Sequence, residues 1–186
     1  MTHFKIYTSY SQLPASWNVI ADDDLMLTTQ YLKALEEALP TNITLYFVAV
    51  FKGETLVGIA LVQLVQMRLK DMFRRNSSLS IKAFFRDIFS SSLKGNILVI
   101  GNLTHTGQHG VAYLNKEIEP KALLQTIVKA INTLKDKIKR ECEKPIQAIM
   151  LKDYFLDDPI HNAEEVFKTE KFNRVKVQPN MVLDIK

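Results

Sequence analysis

Apolar residues in this chain fall into runs typical of strands and into spacings typical of helices. Positions 43–52 and 55–66 are rich in Val, Leu, Ile and aromatic residues and are joined by Lys-Gly-Glu, so they predict an antiparallel hairpin. Gly58 interrupts the second run and predicts a bulge or a close backbone approach. Positions 96–102 are almost wholly apolar, which is typical of a central strand covered on both faces. Two further strands are predicted at 4–10 and 146–151.

Helical spacing is clearest in two stretches. Positions 28–39 place Tyr31 and three leucines on one face, and Pro40 ends the pattern. Positions 121–142 carry a longer apolar stripe that follows Pro120, a residue favoured at helix starts. A short helix is predicted at 158–167, and short strands are predicted at 174–177 and 181–185. The three aspartates at 22–24 are more typical of a helix start than of a metal site.

Positions 67–94 differ in character from the rest and predict an insertion between two strands. This segment carries seven lysines and arginines against two aspartates, and its apolar residues at 81, 84, 85, 88 and 89 form one helical stripe. We favour a helix that packs on its own sheet and exposes its basic face. The alternative is a basic aromatic surface that binds a phosphate-bearing ligand or a partner domain.

Composition places few further limits on the protein. The chain has 186 residues, a formal net charge of +4 and an isoelectric point of about 9.1, which suits one soluble domain and gives nucleic-acid binding only weak support. Its single cysteine, Cys142, excludes an intramolecular disulfide and a cysteine-based metal cluster. No signal-peptide pattern and no apolar run of about 18 residues are present. We therefore expect a cytoplasmic protein without a membrane span.

The polar loop at 103–110 follows the predicted central strand, where α/β proteins commonly bind ligands. His105 and His109 are the candidate catalytic residues, because an imidazole can act as a general base near neutral pH. The alternative is that both histidines bond to the loop backbone. A metal site would need this loop to be helical, and the glycines Gly107 and Gly110 argue against a helix, so no metal is predicted.

Neutral polar groups around the histidines suit an amide or a phosphate. The candidate cofactor-binding residues are Asn102, Thr104, Thr106, Gly107, Gln108 and Gly110. Lys152 and Asp153 are candidate substrate-binding residues, because they end the strand after the long helix, where neighbouring strands could splay; a surface ion pair is the alternative. Gln63 is a further candidate if it faces a cleft, although we expect Gln63 and Gln66 to face solvent.

The order of predicted elements resembles the GNAT acyltransferase fold, a mixed α/β architecture with a central sheet of about six or seven strands flanked by helices. Local stretches are similar to the N-terminal half of bacterial Fem-like peptidoglycan aminoacyl or acyl transferases, in which two GNAT-like domains stand in tandem; they lie at 31–36, 46–50, 56–63, 101–110 and 178–182. The resemblance implies that positions 1–186 form one GNAT-like domain and that a second such domain is missing from the C-terminal side.

The resemblance also implies a function. We expect a domain that helps to transfer an acyl or aminoacyl group to a small-molecule or peptide amine, with acetyl-CoA, another acyl-CoA or an aminoacyl-tRNA as possible donor. One departure matters: the loop at 103–110 lacks the Arg/Gln-x-x-Gly-x-Gly/Ala pattern whose backbone N–H groups hold the pyrophosphate of acetyl-CoA in GNAT enzymes. The alternative is therefore a non-catalytic interaction or substrate-cleft domain that docks on a second domain or subunit.

Overall fold

A computed structural model describes residues 1–21, 24–68, 94–105, 107–142, 145–155 and 158–175. This part of the chain contains one sheet of six strands, whose bounds are β1 Thr2–Tyr7, β2 Ile43–Lys52, β3 Thr55–Arg68, β4 Lys94–Ile100, β5 Val111–Tyr113 and β6 Ile146–Leu151. The order is β1-β2-β3-β4-β6, and β5 also pairs with β3. Only β4 and β6 pair in parallel among these strands. The predicted mixed sheet is confirmed.

Four α-helices accompany the sheet in the described residues: α1 Trp17–Ile20, α2 Thr29–Ala38, α3 Pro120–Cys142 and α4 Glu164–Thr169. Helix α2 begins after Thr28, whose hydroxyl accepts a hydrogen bond from the backbone N–H of Tyr31. Short 3-10 helices span Tyr10–Gln12, Leu25–Leu27 and Pro159–Ala163. The helix predicted at 158–167 is thus a 3-10 turn followed by α4. None of the helices in these residues is long and apolar enough to cross a bilayer.

Helices cover both faces of the sheet. Helix α3 packs on one face through the stripe predicted from the sequence, and these residues are all buried: Leu123, Ile127, Ile131, Leu134 and Ile138. Helices α1 and α2 cover the opposite face, where Trp17, Leu32 and Leu35 contact apolar side chains of β2 and β3. The hydrophobic core therefore lies in two layers, one on each side of the sheet.

The bulge predicted at Gly58 is present beside it. The register between β2 and β3 shifts by one residue at Val50 and Phe51, which leaves Val57 as the extra residue of a bulge. A Cβ atom at position 58 would lie 2.5 Å from Cδ1 of Leu123, so the close contact at this glycine is with a side chain of α3 and not with backbone.

Strand β3 changes its partner at Leu61. The carbonyl oxygen of Leu61 accepts from the N–H of Gly101 at 2.9 Å, and its own N–H donates to the carbonyl of Gly110 at 2.9 Å. Residues on one side of Leu61 pair with β4, and those on the other side pair with β5. Residues 101–110, called the excursion below, therefore leave the sheet and return to it at the same point. Strand β5, which has three residues, is not predicted from the sequence.

Several sequence predictions lie wholly or partly outside the described residues. They are the aspartates at 22–23, the insertion from 69 to 93, Thr106, and the strands and motif within 176–186; the side chain of Cys142 is also not described. The ends of the insertion need correction, because positions 67–68 belong to β3 and 94 to β4, where they pair across the sheet. Arg174 and Val175 are not in a strand.

Candidate functional site

The excursion begins with a buried pair of amide side chains. Gln63 is fully buried and Asn102 is 3 % exposed. Nε2 of Gln63 donates to Oδ1 of Asn102 at 3.2 Å, and Oε1 of Gln63 accepts from the N–H of Leu103 at 2.9 Å. Oδ1 of Asn102 also accepts from the backbone N–H and the hydroxyl of Thr104. The prediction that Gln63 faces solvent is therefore wrong, because β3 lies inside the sheet and both of its faces are covered.

His105 contacts helix α2 rather than the loop backbone. Its Nε2 shares a short hydrogen bond with the hydroxyl of Tyr31, and Nδ2 of Asn102 donates to the same hydroxyl at 3.2 Å. The ammonium of Lys152 donates to the backbone oxygen of His105 at 2.8 Å. Helix α2, the start of the excursion and the end of β6 therefore meet at His105, which is half-buried.

His109 contacts the segment before α2. Its Nδ1 lies 3.0 Å from both carboxylate oxygens of Asp24, and Asp24 also caps the 3-10 helix Leu25–Leu27 by accepting from the N–H of Met26 at 2.9 Å. Gly107 has φ +100°, and a Cβ atom there would lie 2.9 Å from Nε2 of His109. Position 107 thus favours glycine because of its backbone conformation, and a larger residue there would displace the imidazole.

Gln108 ties the excursion to the segment that follows β6. Its Nε2 donates to Asp158 in a short hydrogen bond, and its Oε1 accepts from the N–H of Phe155 at 2.9 Å. Burial, followed by the negative charge of Asp158, raises the pKa of both Tyr113 and Tyr154. The carboxylate of Glu119 raises the pKa of Tyr113 further.

Lys152 and Asp153 form an ion pair with each other, and both side chains are partly buried. The parallel pairing of β4 and β6 continues to their ends, where the N–H of Lys152 donates to the carbonyl of Ile100 at 3.0 Å. The two strands therefore stay paired as far as Lys152 and do not separate there as expected. The ion pair given above as the alternative is present, and the Lys152 ammonium also donates to the backbone oxygen of His105.

A depression of about 380 Å³ lies at the N-terminal end of α3. Tyr113, Glu119, Pro120 and Pro159 contribute to its lining. The ammonium of Lys121, another lining residue, forms a short ion pair with Glu165. Lys121 is thus paired with a carboxylate, and Glu119 is the other charged residue of the lining.

Most of the predicted site residues are near neighbours in the sequence, and three others lie beside them in the structure. Asn102, Thr104, His105, Gly107, Gln108, His109 and Gly110 share the excursion, and Gln63, Lys152 and Asp153 lie beside or under its first half. Tyr31 and Asp24 were missed as site residues, because one was assigned to the apolar face of a helix and the other to a helix start. In the described part of the chain, no three His, Cys, Asp or Glu side chains are placed to hold a metal ion.

Comparisons with known proteins give structural matches but no sequence match. No family model and no curated protein matches the sequence. The chain is similar to a transcriptional regulator from Bacillus halodurans C-125, with a TM-score of 0.50 and 14 % identity over 97 % of this chain and 100 % of that one. At this identity the similarity shows a shared fold and says nothing about activity.

Two acetyltransferase structures also align along nearly the full length. A possible acetyltransferase from Clostridium difficile 630 gives a TM-score of 0.45 and 13 % identity over 100 % of this chain and 99 % of that one. A ribosomal-protein-alanine N-acetyltransferase from Brucella melitensis biovar Abortus 2308 gives a TM-score of 0.46 and 10 % identity over 98 % of this chain and 99 % of that one.

Proposed function

We propose that this chain is a GNAT-like domain related to the N-acyltransferases and helps to transfer an acyl or aminoacyl group to an amine. The observation that carries the proposal is the order of the sheet. An antiparallel β1-β2-β3 unit is followed by β4 and β6, which are parallel and are connected through the long helix α3. This is the arrangement that the sequence resemblance implies, and the two histidines lie where β4 ends, a common ligand position in α/β proteins.

His109 is the better candidate for a general base. A carboxylate only accepts hydrogen bonds, so the Nδ1 that faces Asp24 carries a proton, and the lone pair of a neutral ring is then on Nε2. In the proposed reaction, the amine nitrogen bonds to the acyl carbon and this Nε2 takes the proton that the amine loses. The C–S bond of the acyl-CoA, or the C–O bond of the aminoacyl-tRNA, then breaks, and the proton returns to the leaving thiolate or alkoxide. Asp24 orients the ring in the manner of the carboxylate in a catalytic triad.

The remaining predicted residues have supporting roles in this proposal. The residues proposed to bind the acyl donor are Asn102, Thr104, Thr106, Gly107, Gln108 and Gly110. Gln63, Lys152 and Asp153 hold the excursion in place beside the acceptor. The donor is an acyl-CoA or an aminoacyl-tRNA. We also propose the Fem-like enzymes of peptidoglycan biosynthesis as relatives, in which case a second GNAT-like domain completes the substrate cleft.

A second candidate, a non-catalytic docking domain, has its own support. Many polar groups of the excursion are already bonded within the chain. The carboxylates of Glu119 and Asp158 act on Tyr113 beside the start of α3, and Glu165 pairs with Lys121 there, so little positive charge is left for a pyrophosphate. In this alternative the excursion is a structural feature, and the binding surface lies elsewhere on the domain.

Thermal denaturation with acetyl-CoA separates the two candidates, because a ligand that binds only the folded state raises the midpoint. Acetyl-CoA at ten times its Kd adds about 1.4 kcal/mol, which is about 3–6 °C for a chain of this size. We expect His105→Ala and His109→Ala to reduce this rise, and His161→Ala, on the 3-10 helix Pro159–Ala163, to keep it. Absence of any rise at millimolar acetyl-CoA and with an aminoacyl-tRNA would favour the docking domain.

A further inference from the structure

The hydrogen bonds that lead to His105 have a defined direction. The backbone N–H of Leu103 donates to Oε1 of Gln63, and that of Thr104 donates to Oδ1 of Asn102. A backbone N–H can only donate, so these two bonds identify the oxygen of each amide. Nε2 of Gln63 is therefore a donor to Asn102, and Nδ2 of Asn102 is a donor to the hydroxyl of Tyr31.

The phenol of Tyr31 passes this direction on to the imidazole. Its oxygen accepts from Asn102, so its own proton is available to donate, and Nε2 of His105 is the nearest acceptor in the described residues. If His105 donated instead, the phenol proton would have no acceptor among the described residues, and a partly buried hydroxyl without an acceptor is costly. Nε2 therefore accepts, and a neutral imidazole then carries its proton on Nδ1.

The Nδ1 atom of His105 has no hydrogen-bond partner among the described residues. No fully buried side-chain nitrogen or oxygen in that part of the chain lacks a partner, so Nδ1 is not fully buried. The bond from Lys152 to the backbone oxygen of His105 holds the residue from the other side.

We propose that His105 is fixed as the Nδ1–H tautomer and donates this hydrogen to an oxygen of the bound ligand, the carbonyl oxygen of the acyl group. Tyr31 is the positioning residue that selects the tautomer. The two histidines then have opposite roles, since His109 offers a lone pair and His105 offers a hydrogen. The tautomer follows from the hydrogen bonds alone, whereas the choice of a carbonyl rests on the proposed function.

Nitrogen-15 NMR of the histidine-labelled full chain tests the tautomer without any ligand. At about pH 8, where an imidazole is ordinarily neutral, we expect the proton of His105 on Nδ1 and an unprotonated Nε2. His161 provides a contrast in the same spectrum, because its Nε2 faces the carbonyl oxygen of Phe155 and must carry the proton. Tyr31→Phe should shift His105 toward the Nε2–H form. A wild-type His105 protonated on Nε2 overturns the proposal, whether or not the variant folds.

Two experiments test whether the ligand atom is a carbonyl oxygen. The first adds acetamide, which carries a carbonyl group but needs no coenzyme A site. The second compares acetyl-CoA with coenzyme A, which lacks the acetyl carbonyl. We expect acetamide or acetyl-CoA to move the Nδ1–H signal of His105 and coenzyme A to leave it in place. Tyr31→Phe should weaken the acetamide effect by about 2- to 12-fold, the value of one hydrogen bond. A signal that neither carbonyl probe moves overturns the carbonyl role. A midpoint that rises with acetyl-CoA while this signal stays fixed overturns this inference and leaves the proposed function standing.

Discussion

Gly110 shows how a single missing side chain shapes the candidate site. Its φ is not in the left-handed region, but a Cβ atom there would lie 2.7 Å from the Cα of Gly101, where both ends of the excursion meet at Leu61. We predict that Gly110→Ala lowers the free energy of unfolding by about 2–3 kcal/mol, because backbone cannot move aside as a flexible side chain can. Denaturant unfolding measures the loss.

The control for Gly110 is Gly53 in the β2–β3 turn. Gly53 has φ +60°, and a Cβ atom there would have no other atom within 4 Å. Glycine is therefore favoured at this position by the backbone conformation and not by a lack of space for a side chain. Asparagine tolerates such a φ, and we expect Gly53→Asn to cost less than about 1 kcal/mol. Equal losses at the two positions would contradict the explanation by close backbone approach.

Gln63 gives the second prediction at the residue scale. Replacement by Met keeps the volume but leaves the N–H of Leu103 without its acceptor, so we expect a loss of about 2 kcal/mol in the free energy of unfolding. Gln66→Met, at the half-buried end of β3, should change it by less than about 0.5 kcal/mol. Similar effects of the two substitutions, measured by urea unfolding, would mean that the buried amide pair contributes little.

At the scale of elements, the C-terminal end of α4 carries an unfavourable residue. Lys171 has φ +59°, and the N–H groups of Lys171 and Phe172 donate to the carbonyls of Lys168 and Phe167, which is a Schellman motif. We predict that Lys171→Gly raises the free energy of unfolding by about 0.5–1 kcal/mol, because glycine adopts this φ without strain. The neighbouring Glu170 has φ −85°, so Glu170→Gly should give no gain in thermal midpoint.

Elements with long and regular patterns could be predicted from the sequence, and short ones could not. The apolar stripe of α3 and the hairpin of β2 and β3 repeat their spacing over ten residues or more, so local pattern alone identifies them. Strand β5 has three residues and exists because β3 is long enough to pair with both β4 and β5. Its prediction would have required the register of the sheet, which depends on contacts distant in sequence.

At the scale of the whole molecule, the same limit applies to the candidate site. The sequence located the loop, because polar residues and glycines follow an apolar strand. It did not predict the partners Tyr31 and Asp24, which lie 74 and 85 positions before His105 and His109. These pairs form because α2 packs on the sheet face next to the end of β4, an arrangement set by the core and not by any local motif.

The stability of the whole chain should also depend on pH through Tyr154. Burial, then Asp158, raises the pKa of Tyr154 above its ordinary value of 10.0. Above pH 10 the unfolded chain therefore loses this proton while the folded chain keeps it, so the folded chain binds more protons and its stability falls as the pH rises. We predict that between about pH 9 and 11 the wild type loses more free energy of unfolding than Tyr154→Phe does.

Phe172→Leu alters the same apolar cluster without removing an ionisable group, so its pH dependence should run parallel to that of the wild type. Parallel curves for the wild type and Tyr154→Phe in denaturant unfolding would show that the phenol is no harder to ionise in the folded chain than in the unfolded one.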